Sequence, residues 1–282
     1  MLTFPGITPV DYLIIGHITQ DLTPEGPRIG GTAAFSGLTA NAFGLRVGVV
    51  TSWGEETGKD LLDRLQIANL HADSSTTFEN IYTPEGRRQK LHHLAPQLAF
   101  YHIPESWRAA KIVHIAPVAG EIPGDMIRYF PEADIYLTPQ GWMREWDREG
   151  NISPRGWLEA SYMLPQARAA VISEEDVGFE QAVIDRMAAY VPILAVTKGA
   201  LGADIYTEGR IISIPAPETE AADMTGAGDI FAAVFFTQLT HIGDPFKAGE
   251  LAVQVASDSI TRPGMQAAPD EDLLYELVRK VQ

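Results

Sequence analysis

Short apolar runs alternate with helical patterns along much of this chain, and that alternation constrains the fold more than any other feature. Residues 10–16 form an apolar run that ends in glycine, which predicts a buried strand. A run rich in Ala, Phe and Leu follows Gly30 and Gly31 up to Gly44, and it predicts a helix closed by a glycine. Residues 46–52 predict the next strand. This order of elements indicates parallel pairing in an α/β sheet.

Two later segments interrupt or extend this pattern. Residues 57–69 carry leucines at helical spacing and predict a second helix. Residues 76–101 contain Thr, Phe, Ile and Tyr in short runs around Pro84-Glu85-Gly86, which is a turn signal. We therefore expect a β-hairpin that projects from the main sheet.

The alternation resumes in the second half of the chain. The polar segment 139–157 is rich in Trp and Arg and predicts a surface excursion. The remaining predicted elements are strands at 112–116, 134–137, 169–172 and 193–197, a hairpin at 202–214, and helices at 226–241, 245–261 and 270–281.

Composition excludes several classes of function. The chain has 282 residues, of which 45% are hydrophobic, so a packed domain is expected. The net charge is −16 without a long basic run, which makes nucleic acids and anionic membranes poor partners. The absence of cysteine excludes disulfides and thiolate chemistry. The sequence has neither a signal-peptide pattern nor a long apolar run, and we expect a cytoplasmic protein.

The clearest chemical signal is the string Asp223-Met224-Thr225-Gly226-Ala227-Gly228-Asp229, which is followed by an apolar helix. Backbone N–H groups at the start of a helix bind anions, and glycines let a phosphate approach closely. Asp229 would lie in the first helical turn, beside that anion site. A carboxylate in that position can accept a proton from an attacking hydroxyl.

This string resembles the second signature of the ribokinase-like, or phosphofructokinase B, carbohydrate kinases. The resemblance implies a doubly wound, mostly parallel α/β sheet in one domain over residues 1–282. It also implies a small β-sheet lid formed by residues 17–29 and 75–103. In that family the glycines form an anion hole, so Gly226, Ala227 and Gly228 are expected to hold the transferred phosphoryl group, and Asp229 is the expected base.

Other segments extend the resemblance to the acceptor and donor sites. Asp21 matches the residue that binds sugar hydroxyls, and Gly30-Gly31-Thr32-Ala33-Ala34-Phe35 matches the di-glycine signature. Gly30 and Gly31 are expected to approach the substrate. The residues expected near the nucleotide are Thr197, Lys198, Gly199, Gly202 and Thr225.

The metal site is less well defined by the sequence. Ser173-Glu174-Glu175-Asp176 predicts a helix N-cap with an acidic residue three positions later. In the family this place carries an Asn and a Glu that organise Mg²⁺ through water. Asp176 is therefore a candidate metal residue, and a pure cap is the alternative. ATP and Mg²⁺ are the implied cofactors, while a monovalent cation and a homodimer through the lid are left open.

Phe35 departs from the usual family pattern, which has an Asn that bonds the sugar. Phe offers only apolar area, and the position resembles the plant inositol kinase branch. We therefore expect Phe35 to lie against an apolar face of the substrate, and the acceptor to be a small sugar or cyclic polyol. The alternatives are a nucleoside kinase of the same fold and a nucleotide-binding regulator that has lost catalysis.

Overall fold

The computed structural model describes residues 8–54, 58–83 and 86–281. The strands in those residues are β1 (Tyr12–Ile15), β2 (Thr19–Thr23), β3 (Gly26–Gly30), β4 (Val47–Trp53), β5 (Gln66–His71), β6 (Thr76–Thr83), β7 (Gly86–His93), β8 (Ile112–Ile115), β9 (Asp134–Leu137), β10 (Arg144–Trp146), β11 (Ile152–Pro154), β12 (Ala169–Ser173), β13 (Ile193–Thr197), β14 (Ala203–Thr207) and β15 (Arg210–Ile214). The α-helices are α1 (Thr32–Ala42), α2 (Ala160–Met163), α3 (Gln181–Ala188), α4 (Ala227–Ile242), α5 (Pro245–Ser259) and α6 (Glu271–Val281).

A nine-stranded sheet forms the centre of the molecule, in the order β15-β14-β13-β12-β9-β8-β1-β4-β5. Neighbours from β13 to β5 pair in parallel, and β14 and β15 close one edge with antiparallel pairing. Parallel strands need crossover connections, which cover both faces of the sheet. The predicted α/β architecture is confirmed.

Each face of the sheet carries its own apolar core. Helices α1, α4, α5 and α6 pack on one face, where Phe35, Phe235 and Leu251 are buried together. Helices α2 and α3 and the segment around Trp107 and Met126 cover the other face. Helix α4 is apolar on nearly all sides, and the side chains of its central residues are buried. A helix of this composition is stable only inside a core.

A second, four-stranded sheet, here called the small sheet, stands apart in the order β3-β2-β6-β7. Its β2–β3 and β6–β7 pairs are antiparallel, whereas β2 and β6 pair in parallel. The predicted projecting hairpin corresponds to β6 and β7. Pro84 and Glu85 of its predicted turn lie outside the described residues.

Two sequence predictions are wrong. Residues 57–69 were expected to be helical, but the structure has one 3₁₀ turn at Lys59–Leu62 followed by strand β5. The parallel ladder with β4 favours the extended form there. Segment 139–157 is also no simple surface excursion, because it forms the β10–β11 hairpin and buries Trp142 and Met143.

Within the described residues, no helix combines the length and apolarity needed to cross a bilayer.

A buried histidine lies at the middle of the main sheet. His114 on β8 is 0% exposed, and its ring nitrogens lie 3.2 Å from the Tyr12 hydroxyl and 2.9 Å from Thr138 Oγ1. The ring also packs edge-on against Phe236. Burial lowers the pKa of His114 to about 3. The unfolded chain therefore binds a proton below about pH 6.5 that the folded chain does not accept.

We predict that His114 makes the protein acid-sensitive. Between pH 6 and pH 5, the wild type should lose about 1 kcal/mol more of its free energy of unfolding than His114→Gln does. Urea unfolding at both pH values measures this difference in slope. The absolute stability of the variant does not enter, and the titrations of other groups cancel between the two proteins. Equal slopes would contradict the prediction.

Candidate active site

The predicted site residues gather where the parallel strands of the main sheet end. Gly16 follows β1 and leads into the small sheet, while Ser173 and Thr197 are the last residues of β12 and β13. Ligands of open α/β sheets bind outside this edge. The first turn of α4 lies close to this edge as well. Asp176, just after β12, is near enough for its charge to raise the pKa of Asp229 in α4.

Helix α4 begins at a glycine whose conformation is imposed by its neighbours. Gly226 is the N-cap and has a left-handed φ of 80°. A Cβ atom there would lie 2.5 Å from the ring of Phe35. Gly228, by contrast, has no heavy atom within 4 Å of the place its Cβ would take. The first turn of α4 is thus packed tightly on one side and open on the other, as an anion site requires.

The backbone amides of this turn are not all equally available. The N–H of Ala227 donates a long bond of 3.3 Å to the Met224 carbonyl. The N–H groups of Gly228 and Asp229 belong to the first helical turn, where amides have no intrahelical acceptor. The expected anion hole therefore depends more on Gly228 and Asp229 than on Ala227.

Helix α1 fixes the position of Asp229. Thr32 Oγ1 donates to Asp229 Oδ1 at 2.7 Å, and Ser36 Oγ donates to the Asp229 carbonyl at 2.8 Å. Thr32 and Ser36 are four residues apart, so they lie on the same face of α1. One carboxylate oxygen is held by Thr32, and the side chain remains partly exposed.

The electrostatic surroundings suit Asp229 to proton transfer. Burial raises the pKa of Asp229 to about 6, the hydrogen bond from Thr32 and the charge of Arg144 oppose that rise, and the charges of Asp21 and Asp176 add to it. A base is most effective when its pKa lies near the working pH. At neutral pH, Asp229 is ionised and still basic enough to accept a hydroxyl proton.

Asp223, at the start of the same loop, joins three parts of the chain. Its carboxylate accepts hydrogen bonds from the N–H groups of Thr225 at 2.9 Å and Gly264 at 3.0 Å. Arg28 of β3 lies 3.7 Å from the same carboxylate. Burial raises the pKa of Asp223, but these hydrogen bonds and the Arg28 charge outweigh it and hold the pKa below its ordinary value.

The predicted acceptor residues lie at the base of the small sheet. Asp21 is on β2, and a Cβ atom at Gly30 would meet its carboxylate at 2.5 Å. A Cβ atom at Gly31, where φ is 90°, would lie 2.6 Å from the His17 carbonyl oxygen. Both glycines are therefore required by the close passage of residues 17–21. Their expected approach to a substrate stays a prediction.

The expected position of Phe35 is wrong. Its ring is 1% exposed and lies beneath Gly226, inside the core between α1 and α4. No ring face is left for a substrate. Phe35 supports the first turn of α4 from below, and it gives no information about the shape of the acceptor.

The predicted nucleotide loop is held by its own contacts. Lys198 Nζ lies 3.1 Å from Asp204, and the Lys198 N–H donates to the Gly202 carbonyl at 2.8 Å. A Cβ atom at Gly202 would clash with the Ile214 carbonyl oxygen. Thr197 Oγ1 donates a long bond of 3.4 Å to Ile172. Gly199 has a φ of 54° and opens the following turn. Contacts of these residues with a nucleotide stay a prediction.

Asp176 closes a capping box, as one of the two predictions for it required. Ser173 N–H donates to Asp176 Oδ2 at 2.9 Å, and Gln140 donates to Oδ1 at 3.0 Å. Among the described residues, no group of three His, Cys, Asp or Glu side chains could hold a metal ion alone. Phosphate-bound Mg²⁺ is usually held by one or two carboxylates and by substrate oxygens, and the Asp176 carboxylate fits that role.

Sequence reasoning missed three polar residues of this site. Thr32 follows the di-glycine signature, and its place at the start of a helix was a usable signal. Arg28 and Arg144 gave no such signal, because an isolated arginine on a strand is most often exposed to water.

Comparisons with known proteins agree with this geometry. The sequence pattern of the pfkB family carbohydrate kinases matches residues 160–272. A cytidine kinase of Thermococcus kodakarensis is 26% identical to it over 247 residues, which are 80% of this chain and 87% of that protein. The predicted family and the predicted phosphotransferase class are confirmed.

Solved structures share the fold over most of this chain. A pyrophosphate-dependent kinase in the ribokinase family, complexed with a pyrophosphate analogue and myo-inositol, has a TM-score of 0.78 at 20% identity and covers 91% of this chain and 98% of its own. A fructokinase with bound ATP from Xylella fastidiosa has a TM-score of 0.74 at 16% identity, over 96% and 98% of the two chains. The ribokinase-like fold is confirmed.

We predict that the two glycines of the PfkB signature respond differently to substitution. Gly226→Ala should lower the free energy of unfolding by about 2–4 kcal/mol, because it adds a left-handed alanine and a clash with Phe35. Gly228→Val should leave stability nearly unchanged and abolish most turnover, because its side chain fills the open side of the turn. Urea unfolding and turnover on the same samples measure both effects.

A second substitution tests the cause. Phe35→Leu shortens the side chain beneath Gly226, so Gly226→Ala should destabilise the Phe35→Leu protein less than it destabilises the wild type. Additive costs would show that the ring contact does not matter.

Proposed function

We propose that this chain is a kinase that transfers the γ-phosphoryl group of ATP to a hydroxyl of a small, neutral sugar or polyol. The observation that carries the proposal is the position of Asp229. It lies in the first turn of α4 beside the open side of Gly228, and Thr32 orients it. A hydroxyl between Asp229 and the γ-phosphate on that turn could lose its proton to the carboxylate while its oxygen bonds to the γ-phosphorus. The bond from that phosphorus to the bridging β–γ oxygen breaks in the same step, and ADP leaves.

The acceptor hydroxyls would be bound by the small sheet, which acts as a lid. Asp21 lies over Gly30, and its charge acts on Asp229, so an acceptor between the two carboxylates would be small. A carboxylate accepts hydrogen bonds from two neighbouring hydroxyls. The burial of Phe35 removes the argument for a cyclic acceptor in particular. The neighbour complexed with myo-inositol supports a polyol, and the fructokinase supports a sugar.

The donor would be held mainly by backbone amides. Lys198 forms an ion pair with Asp204, and Arg262 forms one with Asp258. Both positive charges are therefore already paired within the protein. Mg²⁺ would neutralise the phosphates when bound, with Asp176 as its candidate protein ligand. The requirement for Mg²⁺, any need for a monovalent cation and a homodimer through the small sheet stay predictions.

A nucleoside kinase is the second candidate, because the cytidine kinase of Thermococcus kodakarensis is similar over most of this chain. Both candidates use the same base and the same anion site. A regulator without catalysis is less well supported, since a binding protein has no need for a carboxylate whose pKa is about 6 beside the phosphate site.

A screen of donors and acceptors tests the proposal. Purified protein is incubated with ATP or pyrophosphate, with Mg²⁺, and with myo-inositol, ribose, fructose or cytidine, and phosphorylated product is detected by mass spectrometry. Turnover of a sugar or polyol with ATP supports the proposal. Turnover of cytidine alone favours the second candidate, turnover only with pyrophosphate corrects the donor, and no turnover with any pair contradicts the kinase assignment.

We predict that Asp229→Asn lowers turnover by about 10²–10⁴-fold, which is the usual contribution of a positioned base. Asparagine keeps an oxygen for the Thr32 hydroxyl, so folding and ATP affinity should persist. In the wild type, turnover should fall as the pH drops below about 6, because Asp229 becomes protonated. The control is Asp272→Asn, an exposed carboxylate in α6. Turnover of Asp229→Asn within tenfold of the wild type would exclude Asp229 as the base.

We predict that Asp21→Asn raises the acceptor KM at least tenfold while the affinity for ATP stays the same, since hydrogen bonds to a charged group contribute about 1.5–3 kcal/mol. Loss of the Asp21 charge also removes a cause of the raised pKa of Asp229, so the acid limb of the pH profile should move to lower pH. Glu25→Gln, on the same small sheet, is the matched control. An unchanged KM for every accepted substrate would place the acceptor pocket elsewhere.

A further inference from the structure

The β10–β11 hairpin lies between a core of the main sheet and the small sheet. It is anchored to both. Trp142, just before β10, is 6% exposed and donates through Nε1 to the Ile122 carbonyl at 2.8 Å. On the other side, the N–H of Leu91 in β7 donates to the Gly150 carbonyl at 2.8 Å. The hairpin therefore holds its side chains at fixed places relative to both sheets.

Arg144, the first residue of β10, extends from this hairpin toward the small sheet. Its Nη1 donates to the Val118 carbonyl at 3.3 Å, and its guanidinium carbon lies 5.9 Å from the centre of the Phe78 ring. Phe78 on β6 is buried with Val118 and Ala119. The guanidinium thus lies at the junction of the small sheet and the body of the protein.

The register of the small sheet brings Asp21 to the same side. Asp21 on β2 and Phe78 on β6 are direct partners in a parallel pair, and paired residues project from the same face of a sheet. Since Phe78 faces the body of the protein, Asp21 faces it too. Arg144 packs over Phe78 and therefore lies on the face of the small sheet from which Asp21 projects.

The charges of three groups from three different elements act on Asp229. Asp21 comes from the small sheet, Asp176 follows β12, and Arg144 comes from the β10–β11 hairpin. Of these three, Arg144 alone is cationic. Its charge favours the ionised form of Asp229, whereas the two carboxylates and burial favour the protonated form.

We propose that Arg144 is a further acceptor-site residue, which donates hydrogen bonds to acceptor oxygens opposite Asp21. This inference rests on the proposed kinase function. It also specifies the acceptor: the charges of two carboxylates and one guanidinium act on the Asp229 carboxylate, so negative charge is in excess there and the site selects a neutral polyhydroxyl compound over a phosphorylated one. The planar guanidinium, with its fixed donors, suits two neighbouring oxygens of such a compound.

Three substitutions test this role, using whichever of myo-inositol, ribose, fructose and cytidine the wild type phosphorylates fastest. In Arg144→Gln, kcat/KM for that acceptor should fall about ten- to a hundredfold, and the affinity for a non-hydrolysable ATP analogue should change less than threefold. The acid limb of its kcat/KM profile should move to higher pH, because a cation that lowers the pKa of Asp229 is lost. Arg144→Lys should restore the acid limb of the pH profile but not the full kcat/KM, since lysine returns the positive charge without the planar set of guanidinium donors.

Arg155→Gln is the matched control, because Arg155 donates to the Trp142 carbonyl beside the same hairpin. It should leave kcat/KM and the pH profile unchanged. A purely structural Arg144 would lower the melting temperature and leave the acid limb where it is, and that result would overturn the inference. An active wild type with an unaffected Arg144→Gln variant contradicts the inference alone. A wild type without turnover on any of the four compounds contradicts the proposed function and this inference together.

Discussion

The docking of helix α1 onto the first turn of α4 determines the geometry of the whole site. Thr32, Phe35 and Ser36 follow the i, i+3, i+4 spacing of one helix face. Each contacts that turn in a different way: Thr32 bonds the Asp229 carboxylate, Ser36 bonds its carbonyl, and Phe35 lies beneath Gly226. One helix face therefore sets the orientation of the Asp229 carboxylate and the position of the first-turn amides of α4 at the same time. Separate supports could drift relative to each other, whereas a single helix face cannot.

The base of the small sheet is held by a different kind of contact. Glu121 is fully buried and accepts hydrogen bonds from the N–H groups of Val118, Ala119 and His17. His17 in turn contacts Thr76 at 2.7 Å and the Pro96 carbonyl at 3.0 Å. This network ties the points where the chain enters and leaves the small sheet to the main sheet. The base of the small sheet is therefore held in place by buried hydrogen bonds.

The parts of the fold that could be predicted from the sequence are those fixed by local patterns. Strand β1, helix α1 and helix α4 each combine an apolar run with a glycine or a cap, and those signals lie within a few residues. Strand β5 could not be predicted, because its extended form depends on pairing with β4, and the leucines before it suggest a helix. The burial of Trp142 could not be predicted either, since the residues that pack around it are far away in the sequence.

The site shows the same division between local and distant causes. Asp229 and the glycines around it are recognisable because one loop supplies them all. The role of Phe35 was misjudged because it depends on Gly226, which is 191 positions later. Arg144 was missed because its relation to Asp21 runs through Phe78 and a strand register that no linear pattern records. Motifs thus identify the group that reacts, while tertiary packing decides which groups adjust its charge.

That adjustment is the feature that turns a binding site into a reactive one. A carboxylate at the start of a helix would normally be a weak base, because the helix dipole and nearby N–H groups stabilise its charge. Here burial and two further carboxylates raise the pKa of Asp229 to about 6, against the hydrogen bond from Thr32 and the charge of Arg144. Bound acceptor would displace water from between these groups and strengthen every one of these interactions. Asp229 then stays ionised only if cationic charge balances the added repulsion, so its basicity depends on the whole set of charges around it.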